Sequence, residues 1–496
     1  MKRKLTCVLL AVVLLGACLA GLAACNADKM KQAVKNGDNY TIVATYHPDD
    51  HTLSATQIVE YTNRSDNTFV DIKLHIYANA YREGANPIVP NTYTSVAYPN
   101  GICYGDISFD SVKADGTACA YKIEGNNADI LSVPLGKELF PNEKVTLEMT
   151  YKVTLSNIKH RLGYTDNAVT LGNFFPIVCR VENDNFATTS YCAVGDPFVS
   201  DVANFDVTLC APSSYIVGAS SELTSVTSKD GYDTWHYVGE ARRDFALVLS
   251  DKYKKLSQNV GKTQVNYLYY ADEDPQTSLA TAVGMLEYMN KNVGEYPYAT
   301  YTVCETDFCY GGMEYPALVY VASGSNAYTE AIAHETAHQW FYGVVGNNQI
   351  TDAWMDEGLC EFVTYLYLDS TGAVSLADAM KRTTKTYINY VDVLNRYYDN
   401  VDTSFRALTD YKNDSEYVVM TYTKGCLLFN TLYETLGETK FLRALADYYR
   451  QCAFEIASPD KLIDCFVRCG NKELATIFDK YICGKEIVGK VTDGKK

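Results

Sequence analysis

Two histidines and two glutamates in the second half of the chain restrict how that half can fold. His334 and His338 stand four residues apart with Glu335 between them, and Glu357 follows His338 after eighteen residues. Residues four apart on a helix lie on one face, one turn apart, so both imidazoles can reach the same point. Two imidazoles and a carboxylate are the ligands of a catalytic zinc ion, which keeps a fourth position open. The pattern therefore predicts two helices packed around one zinc ion.

The residues around this motif predict a helix at both places. Residues 325–345 have the apolar spacing and small residues of a first helix. Residues 354–362 predict a second helix that presents Glu357 as third ligand and Glu361 one turn further on, where it can orient a ligand histidine. Glu335 is offset by one position from the ligands, so it can act on water as a general base. These groups together predict hydrolysis of a peptide bond.

Two short segments flank the motif and suggest how a substrate is held. Gly311 and Gly312 allow a peptide to lie close to the backbone, as an added strand would. They are followed by Met313 and Glu314, and the carboxylate of Glu314 can capture a positively charged amino terminus. Downstream, the hydroxyl of Tyr422 can donate a hydrogen bond to developing negative charge.

In this order the three segments resemble the aminopeptidase N family of gluzincins, which includes the membrane alanyl aminopeptidases. The family pattern is G-x-M-E-N, then H-E-x-x-H-x18-E, then Y-x-K-G. Residues 311–314, 334–357 and 422–425 match it. The eighteen-residue gap favours this family over thermolysin-like enzymes.

The resemblance implies a saddle-like β domain followed by a thermolysin-like catalytic domain with additional helices. It also implies that one zinc ion is held by His334, His338 and Glu357, that Glu335 takes a proton from water, and that Tyr422 stabilises the oxyanion. The expected activity is a zinc-dependent aminopeptidase that acts on peptides outside the cytoplasm. The alternatives on the same scaffold are a zinc endopeptidase with an open cleft and a catalytically inactive peptide-binding lipoprotein.

Three features depart from the family pattern. Tyr315 replaces the asparagine that follows the glutamate of the first segment. No residue in 168–176 matches the second polar group with which the β domain usually contacts the substrate amine. The chain ends at Lys496, so we expect a member that lacks the C-terminal helical domain of many relatives and has a more open cleft.

The residue pattern changes once along the chain, near residue 250. Before it, short runs rich in Val, Ile, Thr and Tyr alternate as half-buried strands do; after it come one strand over 264–270 and mostly helical patterns. These patterns predict an α+β multidomain protein with an N-terminal β domain over 41–250 and a catalytic domain over 251–496. The strongest predicted strands are 41–46, 71–77 and 144–151, and the strongest predicted helices are 376–398, 417–436 and 439–453.

A second pair of histidines four residues apart is not predicted to bind metal. His47 and His51 flank Pro48 between two predicted strands, which is typical of a hairpin turn. They would therefore not share a helical face.

The first 24 residues predict a lipoprotein signal peptide. Three basic residues precede an apolar run over 5–22, and Leu22-Ala23-Ala24-Cys25 resembles the bacterial lipobox, in which the cysteine is lipidated. Residues 25–40 then form a tether, and the protein is expected to be an extracytoplasmic lipoprotein of a bacterial cell membrane. An uncleaved membrane anchor is the alternative.

Charge and cysteine content restrict partners and covalent links. The net charge of −17 argues against nucleic acid as a partner. Thirteen cysteines follow Cys25, an odd number, so at least one has no partner within the chain. Cys304 with Cys309 and Cys465 with Cys469 are possible local pairs.

Overall fold

The computed structural model describes residues 27–324, 328–398 and 401–484. Its first half consists mainly of strands joined by turns. These strands are β1 (Asn39–His47), β2 (Thr52–Thr62), β3 (Phe69–His75), β4 (Asp106–Ala114), β5 (Thr117–Ala118), β6 (Lys122–Glu124), β7 (Ile130–Leu139), β8 (Lys144–Thr154), β9 (Leu162–Tyr164), β10 (Val169–Gly172), β11 (Ile177–Val178), β12 (Val181–Glu182), β13 (Asn185–Phe186), β14 (Ala203–Pro212), β15 (Ile216–Ala219), β16 (Glu222–Lys229), β17 (Tyr232–Arg242) and β18 (Ala246–Ser250).

The second half contains one further sheet and most of the helices. Its strands are β19 (Lys254–Val260), β20 (Thr263–Tyr269), β21 (Thr300–Thr306), β22 (Gly312–Met313), β23 (Leu318–Ala322), β24 (Gly346–Asn347) and β25 (Ile456–Ala457). The helices of the described chain are α1 (27–36), α2 (Thr94–Ala97), α3 (Pro275–Asn292), α4 (Tyr328–Ala337), α5 (Gln349–Asp352), α6 (Glu357–Ser370), α7 (Leu376–Leu394), α8 (Asp414–Val418), α9 (Gly425–Leu436), α10 (Glu438–Cys452), α11 (Pro459–Cys469) and α12 (Glu473–Ile482), together with short 3-10 helices at Tyr77–Tyr81, Asn91–Tyr93, Ala353–Met355 and Leu408–Asp410 and a π-helix at Val419–Lys424.

The first half is organised around an eight-stranded sheet. Its strand order is β16-β17-β14-β1-β2-β8-β4-β5, and β1 and β14 are its parallel neighbours. Along β1 every second residue is buried, from Tyr40 to Tyr46, so one face of the sheet covers a core and the other faces solvent. Smaller sheets, β15-β18-β10-β9 and β11-β3-β7-β6, share that core. The strands predicted over 41–46 and 144–151 are confirmed, as is the turn between His47 and Thr52.

The five-stranded sheet of the second half joins the two parts of the molecule. Its order is β19-β20-β21-β23-β22, in which β20, β21 and β23 are parallel and the two outer strands antiparallel. Because side chains alternate along a strand, Leu268, Cys304 and Tyr320 pack into the core of the first half. Tyr267, Val303 and their neighbours on the other face pack under α3 and α4. The predicted α+β class with an N-terminal β domain is confirmed, while the boundary at 250/251 stays a prediction.

The helix predicted over 325–345 ends early, at Ala337. Residues 325–327 lie outside the described residues. After Ala337 the backbone tightens into turns, with the amide of Trp340 bonded to the carbonyl of Ala337 at 3.0 Å. The carbonyl of Tyr342 accepts a hydrogen bond from Arg243 Nε at 2.9 Å. A buried guanidinium from the first half of the chain thus binds the backbone where the regular helix would have continued, so this part of the prediction is wrong.

The region predicted as a helix over 417–436 is helical but not regular. It begins within α8, passes through the π-helix Val419–Lys424 and continues as α9. The hydrogen bonds of a π-helix span five residues instead of the four of an α-helix, and such turns occur often at functional sites.

The structure also bears on possible disulfides and on membrane-spanning helices. Cys304, Cys309, Cys465 and Cys469 are free thiols, so neither possible local pair forms a disulfide. None of the described helices combines the length and apolarity needed to cross a bilayer. The predicted signal peptide and Cys25 lie outside the described residues.

Candidate metal centre and cleft

Three predicted metal ligands converge on one point between α4 and α6. His334 lies near the end of α4, His338 follows directly after it, and Glu357 is the first residue of α6. The Nε2 atoms of the two histidines are 3.0 Å apart, and each lies 3.2 Å from Oε2 of Glu357. His338 and Glu357 are 1% and 2% exposed. Two ring nitrogens and a carboxylate oxygen at these separations form a preorganised donor set.

This donor set fits a zinc ion. Zinc bonds imidazole nitrogen and carboxylate oxygen at about 2.0–2.1 Å in tetrahedral geometry, which separates neighbouring donors by about 3.3 Å. The observed separations of 3.0 to 3.2 Å are close to that value. A surface cleft is lined by His334 and by Glu335. Three protein ligands next to an open cleft are the arrangement of a catalytic rather than a structural zinc.

Each histidine has an oxygen atom close to its Nδ1 atom. Oε2 of Glu361 lies 3.3 Å from Nδ1 of His334, and the backbone oxygen of Phe341 lies 3.1 Å from Nδ1 of His338. An oxygen at Nδ1 favours a proton on that nitrogen, which leaves the lone pair of Nε2 available to bind a metal. Burial opposes ionisation of Glu357, but the adjacent histidines hold its pKa below the usual range.

Two glycines bring the third ligand and Tyr422 together. A Cβ placed on Gly358 would lie 2.6 Å from Cα of Gly425, and one on Gly425 would lie 2.8 Å from Cα of Gly358. The start of α6 therefore touches the junction of the π-helix and α9 backbone to backbone. As a result the ring of Tyr422 stacks against His334 with centroids 5.8 Å apart.

We expect Gly425→Ala to destabilise the protein and lower its turnover. The added methyl must separate α6 from the π-helix, and overpacking of this kind typically costs about 1–3 kcal/mol. The midpoint of chemical denaturation measures the change. Gly311→Ala is the stability control, because no atom lies within 4 Å of a Cβ added there. An unchanged midpoint in Gly425→Ala would show that the two backbones can separate freely.

The two glycines of the upstream segment have different surroundings. β22 forms the edge of the five-stranded sheet, paired only with β23 among the described strands. Gly311 faces open space, whereas a Cβ on Gly312 would lie 2.3 Å from Oε1 of Glu335. Gly312 therefore leaves room for the carboxylate of Glu335. Burial raises the pKa of Glu335 to about 7.

Glu314 lies at the end of this segment in a buried acidic network. Gln349 Nε2 donates to Oε1 of Glu314 at 2.8 Å and to Oδ2 of Asp356 at 2.9 Å. One oxygen from each of Asp196, Glu314 and Glu357 lies within 4.8 Å of the others. Burial, followed by repulsion from Asp196, raises the pKa of Glu314 well above its usual range. A cationic ligand would relieve this repulsion.

Asp196 is a site residue that the sequence did not predict. It lies in the loop before β14 and forms an ion pair with Arg161. The same guanidinium donates to the carbonyl of Gly195 at 3.2 Å and to Sδ of Met313 at 3.1 Å. Its position beside Glu314 depends on contact between the two halves of the chain, which local spacing does not reveal. Gln349 and Asp356 were also missed, because Gln349 joins them to Glu314, which lies 35 residues before it in the chain.

Tyr315 has a partner in the β-rich half instead of in the cleft. Its hydroxyl donates to Oδ1 of Asn173 at 2.8 Å, and a Cβ on Gly172 would lie 1.9 Å from that hydroxyl oxygen. The stretch 168–176, in which the sequence shows no amine contact, therefore receives the tyrosine. Tyr315 attaches the segment of Glu314 to the first half of the chain.

The cleft has a volume of about 320 Å³. Its lining comes from both halves of the molecule and includes Tyr93, Arg161, Asp196, Glu335, Tyr417 and Tyr422. A larger cavity of about 570 Å³ lies elsewhere, beside α1, and contains none of the predicted site residues. The predicted catalytic residues Glu335 and Tyr422 therefore line the smaller cavity and not the larger one.

Comparison with known proteins agrees with this site. Residues 277–481 match the family model described as the peptidase family M1 domain. Aminopeptidase M1-B of Oryza sativa subsp. japonica is 25% identical over 185 residues, which cover 32% of this chain and 19% of that protein. Endoplasmic reticulum aminopeptidase 2 of Homo sapiens is 22% identical over 372 residues, which cover 69% and 38%. The chain thus matches between about a fifth and two fifths of the length of these relatives.

Solved structures show the same fold. An M1 zinc metallopeptidase from Deinococcus radiodurans superposes with a TM-score of 0.66 at 17% identity, covering 91% of this chain and 95% of that one. A variant of it bound to a Tyr-Ser-Ala substrate gives a TM-score of 0.65. Residues 277–481 therefore match the peptidase family M1 domain, and the chain has the fold of M1 zinc metallopeptidases; both findings support the resemblance to the aminopeptidase N family of gluzincins.

Proposed function

We propose that this protein is a zinc-dependent aminopeptidase that removes residues from the amino termini of peptides. The observation that carries the proposal is the convergence of His334, His338 and Glu357 at 3.0 to 3.2 Å, with Glu335 and Tyr422 beside them on the cleft. The aminopeptidase names of the relatives support it. One zinc ion is the proposed cofactor, and peptides are the proposed substrates.

The three convergent residues would hold the zinc ion. When bound, zinc acts as a Lewis acid that polarises a carbonyl and lowers the pKa of water to about 7. Glu335 stands one position from His334 on α4, and its carboxylate lines the cleft. From there it can accept the proton of the attacking water and later deliver it to the leaving amine.

The edge strand β22 gives a place for the substrate backbone. An extended peptide can add to an exposed sheet edge through main-chain hydrogen bonds. The open space at Gly311 admits a backbone at short distance, while Gly312 leaves the room that Glu335 occupies. A peptide held along this edge would pass directly in front of the general base.

The acidic network supports cleavage at the amino terminus. Glu314 and Asp196 place buried carboxyl groups next to the proposed metal centre. An ammonium group supplies the positive charge and the hydrogen-bond donors that such carboxylates require. A free amino terminus bound there would present the first peptide bond to Glu335.

Tyr422→Phe should lower kcat about 100- to 1000-fold with little change in KM, since one hydrogen-bond donor to the developing oxyanion is lost. Steady-state kinetics on a peptide with a free amino terminus measures the effect. Tyr417→Phe is the matched control, because Tyr417 packs against Tyr422 with ring centroids 5.8 Å apart, and its hydroxyl has no hydrogen-bond partner among the described residues. Near-normal kcat in Tyr422→Phe would remove the hydroxyl from the mechanism.

A peptide library in free and N-acetylated forms tests the proposed activity. The zinc-loaded full-length protein should remove residues stepwise from free peptides and leave acetylated peptides intact, as recorded by mass spectrometry. Glu314→Gln should lose most of this discrimination while it still binds zinc. Internal cleavage that ignores acetylation would assign an endopeptidase instead, and no cleavage of any peptide would reject a peptidase.

The proposed location is the outer face of a bacterial cell membrane, with a lipid on Cys25. The lipobox-like segment ending at Cys25 supports this proposal. The full-length protein should take up a labelled fatty acid and partition into detergent, and Cys25→Ser should do neither. Equal labelling of both proteins would reject lipidation at Cys25.

A further inference from the structure

A buried lysine two residues beyond Tyr422 has no part in the mechanism described above. Lys424 is the last residue of the π-helix, and its side chain is fully buried. Its Nζ donates to the backbone oxygens of Thr403 and Tyr481. It also lies 4.3 Å from the ring centroid of Phe405.

Packing alone does not account for a lysine at this position. No carboxylate of the described residues forms an ion pair with Lys424, and burial lowers the pKa of its amine to about 7. Burying an amine costs more free energy than burying an apolar side chain of the same length. Unlike an apolar side chain, the amine forms directional hydrogen bonds. Its bonds to two carbonyl groups fix the backbone of the π-helix relative to the segments that carry those groups.

The two carbonyl groups belong to a single platform. Tyr481 lies in α12, and Thr403 lies in the segment that follows residue 400. The amide of Phe405 bonds to the carbonyl of Ile482 at 3.0 Å, and Thr403 Oγ1 donates to the carbonyl of Gly484 at 3.1 Å. α12 and residues 403–405 are therefore bonded to each other independently of Lys424, and Lys424 binds both.

The same platform also reaches the metal-ligand helix. The ring of Phe405 stacks on Trp354 with centroids 5.2 Å apart and an angle of 6°. Trp354 lies in the short 3-10 helix that leads into Glu357. Residues 403–405 thus contact both the turn that carries Tyr422, through Lys424, and the segment that leads into Glu357, through Trp354.

The π-helix that carries Tyr422 has external support. π-helices are rare and occur mostly as single turns, frequently at functional sites, and this one is held by the bonds from Lys424 to Thr403 and Tyr481. Tyr422 is separated from Lys424 by one residue in this turn. The ring of Tyr422 must face His334, 5.8 Å away, to reach the reacting carbonyl.

We propose that Lys424 is a positioning residue for Tyr422: its amine ties the π-helix to α12 and residues 403–405, so that this C-terminal helix determines where the tyrosine hydroxyl lies. The inference rests on the proposed peptidase function. It predicts that removing the amine weakens only the contribution of the Tyr422 hydroxyl. Binding of substrate and zinc should not depend on it.

A double-mutant cycle between Lys424→Met and Tyr422→Phe tests this inference in the full-length zinc-loaded protein. Lys424→Met should lower kcat about tenfold with a KM change below about twofold and unchanged zinc content. In the Tyr422→Phe background the same substitution should lower kcat less than about twofold, because the hydroxyl is already absent. Lys412→Met is the control, since Lys412 is an exposed lysine whose Nζ lies 4.4 Å from the ring centroid of Tyr398.

The results separate the inference from a purely structural role. An equal loss of kcat in both backgrounds, or no loss in Lys424→Met, would overturn it. If Lys424→Met does not yield folded protein, Lys424→Gln replaces it in the cycle: its amide satisfies buried acceptors, but its side chain is one atom shorter and should not hold both carbonyl groups as the amine does, so the same difference between the two backgrounds is expected. Absence of hydrolysis by the wild-type protein would reject the proposed function, and that result is read before any variant is compared.

Discussion

Glu335→Gln is expected to bind zinc normally and to lose hydrolysis by a factor of about 100 to 10 000. The substitution keeps the shape of the side chain, so the close approach to Gly312 and the two ligand histidines remain in place. It removes the group that can accept a proton from water. Steady-state kinetics on an unblocked peptide, with zinc content from elemental analysis of the same sample, measures both quantities.

A glutamate on the same helix gives the control for this variant. Glu330 lies on α4 and lines the same cleft, with a carboxylate oxygen 3.9 Å from Arg382. Glu330→Gln removes the same charge without touching the metal ligands, and its kcat should stay within about threefold of the wild type. Retained activity in Glu335→Gln would assign proton transfer to another group.

Removal of the metal is the second change with a large expected effect. A chelator should abolish hydrolysis, and one equivalent of zinc should restore it. The metal-free protein should also unfold at lower temperature. Its buried ligand atoms on Glu357 and both histidines lie 3.0 to 3.2 Å apart and then lack the cation that would join them. At a free zinc concentration 1000 times its Kd, binding contributes about 4 kcal/mol to the free energy of unfolding.

Calorimetry with and without zinc tests the stability effect, and His338→Ala provides the comparison. Zinc should raise the unfolding temperature of the wild type and leave that of His338→Ala nearly unchanged. Full activity in wild-type protein that holds less than about a tenth of an equivalent of any transition metal would contradict a metal-dependent reaction.

Local patterns predicted those elements whose burial repeats at a fixed spacing. β1 alternates buried and exposed residues along its length, and α10 has one apolar face that packs against α9 and α11. Such elements need only a core on one side, so their sequences carry the full signal. The turn from His47 to Thr52 is equally local. These predictions depend on no contact with a distant segment.

Predictions failed where a distant side chain controls the backbone. The end of α4 at Ala337 depends on Arg243, whose guanidinium binds the carbonyls of Tyr342 and Val344. The π-helix before α9 depends on its contacts with α6 and α12. In both cases the local apolar spacing is that of a regular helix, and only the packed molecule supplies the competing bonds.

For the site itself, the sequence alone determined the two histidines as partners and Glu335 as their neighbour, because the pitch of a single helix brings positions four apart together. It also predicted Glu357, Glu314 and Tyr422 through their ordered motifs. The contacts of Asp196 with Glu314, of Tyr315 with Asn173 and of Lys424 with α12 form only when the chain folds. Those contacts link segments far apart in the chain, and no residue spacing encodes them, because they arise when separately formed elements share one core.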